Sequence, residues 1–258
     1  GVLSARAAFR RNRPAVVIGF GGYPAFPALS AAFADGVPTA IHEQNAVLGR
    51  VNRLVAGKVD AIATSYAKTE RLKGKLQDKV RHVGNPVREA VLALRSRPYP
   101  LLEEEGIFRV LVTGGSQGAS ILSQVVPDGL SILPVAFRRR LQVTHQARIE
   151  DIDAVRAKYA EHEIPAELAT YIADMPEQLA WAHLVIARAG ASTIAELACA
   201  GRPSVLVPLP HAIDDHQSAN ARTLAAAGAV DRAVALLCRG VLLLTGTGLM
   251  GALTANVI

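Results

Sequence analysis

Short runs of apolar residues recur along the chain and alternate with longer segments in which apolar residues follow a helical period. A short continuous apolar run is typical of a buried parallel strand, and the crossover between parallel strands is usually a helix. The runs predict strands at Ala15–Phe20, Thr39–His42, Ala61–Thr64, Arg81–Val83, Arg109–Thr113, Gln142–His145, Leu184–Ala187 and Ser204–Val207. Segments of helical period between them, such as Ala25–Ala34 and Ile194–Ala200, complete the β-α-β rhythm of an α/β protein.

One segment interrupts this rhythm. "RPYPLLEEEGIFR" places two prolines and three consecutive glutamates between two β-α-β blocks, a composition typical of a linker. We therefore predict two doubly wound domains, residues 1–94 and residues 107–258, joined by a linker over residues 95–106. Two such domains normally bind a ligand in the cleft between them, at the carboxyl ends of their strands.

Composition narrows the class of protein. Half of the 258 residues are hydrophobic and only 5% are aromatic, which suits helices packed on buried parallel sheets. Cys199 and Cys238 belong to no CxxC pair, a pattern typical of a reduced cytosolic protein without a zinc site. The spacing in "HAIDDHQ" fits no common metal site, so we expect neither metal nor cofactor.

The net charge of +6 is concentrated near the start of the chain. The basic residues there, which stand beside Leu3 and Phe9, are Arg6, Arg10, Arg11 and Arg13. A solvated helix face explains them, and so does contact with an anionic membrane surface. Nucleic acid is the weaker alternative, because neither a binding motif nor interleaved aromatic residues follow. The segment lacks an initiator Met and resembles the middle of a helix, so we interpret the chain as a fragment.

Glycine-rich turns follow several predicted strands. "VLVTGGSQGAS" lacks the lysine of a P-loop and the spacing of a dinucleotide fingerprint, and any tight strand-to-helix turn favours glycine. "IGFGGYPAFP" and "HVGNPVR" repeat the arrangement, however, and together the three turns favour a ligand with a pyrophosphate, such as a nucleotide.

The stretch "RAGASTIAELACAGRP" admits two explanations. Thr193 and Glu196 have the T-x-x-E spacing of a capping box, which would explain both residues without a ligand. The small residues before them leave room for a ligand to approach the backbone N–H groups at a helix N-terminus.

Five motifs occur in the order and spacing of one family: "GFGGYPAFPALSAA", "HEQNAVLGRVNR", "GNPVR", "VTGGSQGA" and "RAGASTIAELACAGRPSVLVPLPHAIDDHQSANA". Through them the chain resembles the MurG family over roughly residues 1 to 229. The resemblance implies a GT-B fold of two Rossmann-like domains facing a cleft, with the N-terminal domain incomplete here. It also implies transfer of N-acetylglucosamine from UDP-N-acetylglucosamine to lipid I, giving lipid II in peptidoglycan synthesis. The site of action would be the cytoplasmic face of the bacterial inner membrane, as a peripheral protein.

The resemblance also implies a set of substrate-binding residues: Asn45, Arg88, Ser116, Gln117, Ile172, Ala191, Ser192, Thr193, Glu196, Gln217 and Asn220. Asn45 would contact the donor from the N-terminal domain, while Arg88 and the hydroxyl of Ser116 would reach its phosphates. Ile172 would read uracil through main-chain groups.

The remaining assignments concern the ribose, the diphosphate and the sugar. The helix that starts at residues 191–193 would point its N-terminus at the diphosphate, and Glu196 would accept hydrogen bonds from the ribose diol. Gln217 and Asn220 would bind the sugar hydroxyls.

The chain departs from the family at both ends. The family's first strand and its GGTGGH-like loop do not occur in this sequence, so we expect the catalytic base to lie upstream of Gly1 and these residues to bind donor without appreciable transfer. After "LAAAGAVDRA" the match fades over the last ~29 residues, and residues 240–258 carry no charge. A frameshifted or truncated terminus is favoured over a membrane anchor. The alternatives are a non-catalytic nucleotide-sugar-binding module, a decayed paralogue or, less favoured, a UDP-N-acetylglucosamine 2-epimerase, whose catalytic carboxylates and histidine are not found at matching motifs.

Overall fold

The structure, a computed structural model, describes residues 1–115, 118–210, 213–225, 233–234 and 242–244. It divides into two compact units. The first unit comprises Gly1–Pro86 and His211–Asn220, and the second comprises Val87–Pro210 and Ala221–Ile258. Each unit has a sheet with parallel strands and helices between them, as the alternating pattern predicts.

The first unit has a four-stranded parallel sheet of order β1-β2-β3-β4. Its elements are α1 (Val2–Asn12), β1 (Val17–Gly19), α2 (Gly22–Asp35), β2 (Thr39–Glu43), α3 (Arg50–Val55), β3 (Ala61–Thr64), a 3-10 helix (Gly74–Lys79) and β4 (Val80–His82). Leu29 of α2, Val55 of α3 and Ile62 of β3 form part of one buried cluster. Helix α2 ends at Gly36, whose φ of 66° lies in the left-handed region that glycine adopts without strain.

The second unit has a seven-stranded sheet of order β10-β11-β9-β8-β5-β6-β7. Its elements up to the third strand are α4 (Glu89–Leu92), a 3-10 helix (Ala93–Ser96), β5 (Phe108–Thr113), α5 (Ser120–Ser131), α6 (Val135–Arg138), β6 (Leu141–Gln146), α7 (Ile152–Glu161) and β7 (Ala166–Ala169). The chain continues with α8 (Met175–Trp181), β8 (Leu184–Ala187), α9 (Ala191–Ala200) and β9 (Ser204–Leu206). A 3-10 helix (Ile213–Asp215) and the first residues of α10 (His216–Leu224) then belong to the first unit, and β10 (Ala233–Val234) and β11 (Leu242–Leu244) complete the second. Strands β5 to β9 are parallel, whereas β10 and β11 pair antiparallel.

Strand β5 explains why continuous apolar runs mark the central strands. Val110 and Val112 belong to one buried cluster, while Leu111 between them belongs to another. Because successive side chains of a strand point to opposite faces, a strand covered on both faces is apolar at every position.

All eight predicted strands are present, with bounds that shift by a few residues at most. Strand β7 was not predicted. Its sequence "AELA" contains one large apolar residue, Leu168, since β7 forms the edge of the sheet and its residues are exposed or only half-buried. The predicted atypical C-terminal segment lies outside the described residues, apart from β10 and β11.

The segment predicted as a linker, residues 95–106, packs within the second unit. Tyr99 Oη donates to the carbonyl of His183 at 2.7 Å, and the guanidinium of Arg202 stacks on the Tyr99 ring. The His183 ring accepts from the backbone N–H of Arg109 through Nδ1 and donates to the carbonyl of Leu101 through Nε2. The first boundary between the two compact units therefore lies between Pro86 and Val87. The linker over residues 95–106 stays a prediction about the domains of the whole protein.

Candidate functional site

The sheet of the second unit has a topological switch point beside β5. The chain proceeds from β5 to β6 and β7 on one side, and then returns to place β8 and β9 on the other side. Thr113, the last residue of β5, is paired with Ala187, the last residue of β8. The turns that follow these two strands are therefore neighbours, in the position where open α/β sheets bind ligands.

The first of these turns is the glycine-rich one. A Cβ atom on Gly114 would lie 2.3 Å from the backbone N of Ala119, so the turn's own packing requires glycine there. Gly115 has a φ of 84°, and its carbonyl accepts a hydrogen bond from the N–H of Gly118 at 3.0 Å. The predicted phosphate contacts at Ser116 and Gln117 lie outside the described residues.

The second turn leads into α9. The residue at which this helix begins decides whether Glu196, its only acidic residue, belongs to a capping box. Helix α9 begins at Ala191 after the N-cap Gly190, without a side-chain capping hydrogen bond. Thr193 is thus the third helical residue, and the capping-box explanation of Thr193 and Glu196 is wrong. The carboxylate of Glu196 instead accepts a hydrogen bond from Nε of Arg88 at 2.9 Å and forms an ion pair with its Nη2 at the same distance.

Other predicted donor residues surround the same edge. Ser192 is exposed and Ala191 half-buried at the start of α9. Ile172 is half-buried in the loop between β7 and α8, with its side chain against a core cluster.

Arg188 follows β8, and its Nη1 donates to the carbonyls of Val207 and Pro208 at 3.2 and 2.9 Å, which ties the end of β8 to the segment after β9.

In the first unit, Glu43 organises the HEQN segment. Its buried carboxylate accepts four hydrogen bonds. The donors are the backbone N–H and side-chain amide of Asn45, the N–H of Gly49 and the amide of Asn52. Four donors satisfy the carboxylate and fix the loop, so Glu43 has a structural role.

Two of the predicted donor-binding residues contact each other in this unit. Asn220 donates through Nδ2 to Oδ1 of Asn45 at 3.0 Å and accepts through Oδ1 from the N–H of Ala46 at 2.7 Å. Asn220 is fully buried, whereas Asn45 is half-buried. Gln217, one turn earlier on α10, is half-buried.

His42 connects two of the motifs. Its Nε2 donates to the carbonyl of Gly84 in "HVGNPVR" at 2.9 Å, because a carbonyl only accepts. Its Nδ1 accepts from the side-chain amide of Gln44 at 3.1 Å. His42 is therefore a buried structural histidine.

Asp214 has a structural role that no pattern in the sequence indicated. Its carboxylate is bonded to Arg71 and, at 3.0 Å, to Arg53, and these guanidinium groups hold its pKa below the ordinary value, with the Arg71 hydrogen bond as the main cause. Asp214 has a φ of 60°, a conformation that aspartate tolerates in turns. The ion pairs fasten the segment that carries Gln217 to the first unit. No spacing rule reveals such a contact between residues so far apart in sequence.

Among the residues that the structure describes, no group of three or more histidine, cysteine, aspartate or glutamate side chains could hold a metal ion. Among the same residues, no helix combines the length and apolar character needed to span a bilayer.

Comparisons with known proteins identify the class. The glycosyltransferase family 28 N-terminal domain model matches residues 1–64, and the C-terminal domain model matches residues 109–232. The chain belongs to glycosyltransferase family 28.

Individual relatives refine this class. A protein of Novosphingobium aromaticivorans is 66% identical over 220 residues, which are 85% of this chain and 57% of that protein. It is named UDP-N-acetylglucosamine–N-acetylmuramyl-(pentapeptide) pyrophosphoryl-undecaprenol N-acetylglucosamine transferase. The chain thus spans just over half the length of this curated relative.

Solved structures support the fold. A crystal structure of Acinetobacter baumannii MurG has a TM-score of 0.70 and 33% identity, covering 88% of this chain and 63% of that one. This likeness confirms the GT-B fold class. A UDP-GlcNAc 2-epimerase from Neisseria meningitidis, bound to UDP-GlcNAc, has a TM-score of 0.59 at 13% identity and covers 90% of this chain and 67% of that one, a similarity of fold alone.

Proposed function

We propose that the protein transfers N-acetylglucosamine from UDP-N-acetylglucosamine to the C4 hydroxyl of lipid I, giving lipid II for peptidoglycan synthesis at the cytoplasmic face of the bacterial inner membrane. The observation that carries this proposal is the 66% identity over 220 residues to a relative named for that transfer. Membership of glycosyltransferase family 28 supports the same reaction type.

The second unit would bind the nucleotide of the donor. Glu196 can accept hydrogen bonds from both ribose hydroxyls, and the guanidinium of Arg88 suits an oxyanion of the diphosphate. In the structure these two side chains pair with each other, and Arg88 is 55% exposed. A pair this exposed contributes little to stability, so the nucleotide can replace it at small cost.

The other donor assignments rest on the resemblance and on the position of their elements. The N–H groups at the start of α9 would face the diphosphate, together with Ser116 and its neighbour Gln117. Ser192 and Thr193 lie in that first turn, and Ile172 would meet uracil through its main chain.

The first unit would contribute to binding of the transferred sugar. Asn45 and Gln217 are half-buried side chains with polar atoms suited to sugar hydroxyls. Asn220 is buried with both atoms of its amide engaged, so we propose that it acts by orienting Asn45 rather than by direct contact.

Helix α1 would meet the membrane that holds the lipid acceptor. Leu3 is 82% exposed, and Arg10 and Arg11 are exposed on the same helix. Arg6 is engaged otherwise, because it pairs with Asp35 of α2 at 2.6 Å. Exposed cations beside an exposed apolar side chain suit an anionic bilayer surface.

The transfer itself forms a bond between the acceptor O4 and C1 of N-acetylglucosamine, breaks the bond from C1 to UDP and moves the hydroxyl proton to a base. Glu43 is committed to four hydrogen bonds and His42 to two, so neither is assigned as that base. The experiment that tests the proposal is radiolabelled transfer from UDP-N-acetylglucosamine to a lipid I analogue by the protein that contains this chain in its full natural length. We expect label in the lipid product.

A further inference from the structure

The ion pair of Arg88 and Glu196 occupies the carboxylate that would bind the ribose. Nε and Nη2 of Arg88 both lie 2.9 Å from the same carboxylate oxygen, Oε1 of Glu196. Among the residues that the structure describes, none donates a hydrogen bond to the second oxygen, Oε2. A diol engages a carboxylate fully when each hydroxyl donates to one of its two oxygens. Full contact with a ribose therefore requires Arg88 to leave Oε1.

The backbone at Arg88 is held in place, whereas its side chain has room to turn. The carbonyl of Arg88 accepts from the N–H groups of Val91 and Leu92 in α4 at 2.9 and 3.0 Å. Val91 is fully buried and belongs to the same core cluster as Ile194 of α9. Beyond this anchored backbone, the side chain of Arg88 is 55% exposed, against 20% for Glu196. The guanidinium can thus exchange partners while α4 and α9 stay packed.

The cost of this exchange differs between a nucleoside and a nucleotide. A nucleoside would take Oε1 from Arg88 and leave the guanidinium to water. A phosphate group offers the same guanidinium paired, charge-assisted hydrogen bonds in place of the carboxylate. An exposed ion pair is weak, yet it competes with a ligand that offers the arginine nothing in return.

We propose that Arg88 is a specificity-determining residue that makes recognition of the ribose by Glu196 depend on phosphate. This rests on the proposed function, which assigns these two side chains to the diphosphate and the ribose. By holding Oε1, Arg88 disfavours a free nucleoside. A nucleoside diphosphate draws Arg88 onto its phosphate and thereby releases the carboxylate for its own ribose. The pair therefore selects the phosphorylated ligand against nucleosides that carry the same base.

The test is the effect of Arg88→Met on the binding of UDP, uridine and 2′,3′-dideoxyuridine. Methionine keeps an apolar stem of similar shape, carries no charge and donates no hydrogen bond. Equilibrium dissociation constants are measured for the protein that contains this chain in its full natural length. Arg97→Met is the matched control, because Arg97 pairs with Glu177 at 2.9 Å in the same unit and is 50% exposed.

The expected results have opposite signs for the nucleoside and the nucleotide. Arg88→Met should bind uridine about two- to fivefold more tightly, since the ion pair no longer competes for Oε1. It should bind UDP about tenfold more weakly, because a charge-assisted contact with phosphate is lost. Dideoxyuridine has no diol and should bind equally to both proteins. Arg97→Met should change none of the three affinities.

Two results would overturn the proposal. An affinity for uridine that is unchanged or lower in Arg88→Met would show that Arg88 does not compete with the ribose. An equal gain for dideoxyuridine would show that the gain does not arise at the diol. Failure of the proposed function is a separate result, because the unsubstituted protein would then not bind UDP at all.

Discussion

Replacement of Glu196 by glutamine tests whether the carboxylate of this residue binds the ribose of the nucleotide. Glu196→Gln keeps the size of the side chain and removes its charge. The carboxylate is 20% exposed, accepts a hydrogen bond from Nε of Arg88 at 2.9 Å and forms an ion pair with its Nη2 at the same distance. If the same carboxylate accepts from the ribose diol when nucleotide binds, the substitution removes charged hydrogen bonds worth about 1–3 kcal/mol. The dissociation constant for UDP should then rise by about five- to 150-fold.

The effect on stability should be smaller, which separates binding from folding. Arg88 is 55% exposed, so its pair with Glu196 contributes at most about 1 kcal/mol to the free energy of unfolding. Glu177→Gln is the matched control, because Glu177 pairs with Arg97 at 2.9 Å in the same unit with both side chains about half exposed. It should cost a similar small amount of stability and leave UDP binding unchanged.

Calorimetric titration with UDP, together with thermal unfolding of the three proteins, provides the measurement. Uridine serves as a second ligand, because it retains the ribose diol and lacks phosphate. Glu196→Gln should weaken both ligands. An unchanged affinity for UDP would refute the reasoning and leave Glu196 as a partner of Arg88 only.

Two further predictions concern stability and membrane contact. Burial lowers the pKa of His145, whose Nδ1 lies 2.9 Å from Oη of Tyr159, from 6.5 to about 4. Protonation of this histidine therefore favours the unfolded chain. The free energy of unfolding should decrease by up to about 3 kcal/mol as the pH falls from 6.5 to 4. Urea denaturation across this range should show a weaker decrease in His145→Gln, and equal decreases would contradict the assignment. On α1, replacing Arg10 and Arg11 by glutamate should reduce co-sedimentation with vesicles containing anionic lipid, whereas neutral vesicles should show no such difference. Undiminished binding to anionic vesicles would argue against a membrane role for this helix.

Local periodicity was sufficient to predict most of the sheets. Val110 to Val112 are apolar without interruption because both faces of β5 are buried, and this is a signal that a single sequence carries. Strand β7 was not predicted because an edge strand needs few large apolar residues. A single one, Leu168, does not distinguish the strand from a loop.

The site was predictable only in part. Motif spacing indicated the glycine-rich turn and the importance of Glu196, but it left a capping box open as the alternative, since T-x-x-E has the right spacing wherever the helix begins. A capping box at Thr193 would start the helix at Ile194, whereas the structure starts it three residues earlier, at Ala191. Contacts between distant residues, such as Asp214 with Arg53 and Arg71, depend on the tertiary fold and leave no local pattern.

The central claim is the transfer of N-acetylglucosamine to a lipid acceptor, and a radiolabelled assay measures it most directly. The protein that contains this chain in its full natural length is incubated with labelled UDP-N-acetylglucosamine, with and without a lipid I analogue, and the products are separated by chromatography. We predict that label enters the lipid fraction only when the analogue is present, with release of UDP, and that Glu196→Gln lowers this rate. Conversion of the labelled donor into another UDP-sugar without transfer would point to an epimerase, and binding without any turnover would point to a nucleotide-sugar-binding protein; either result would contradict the account.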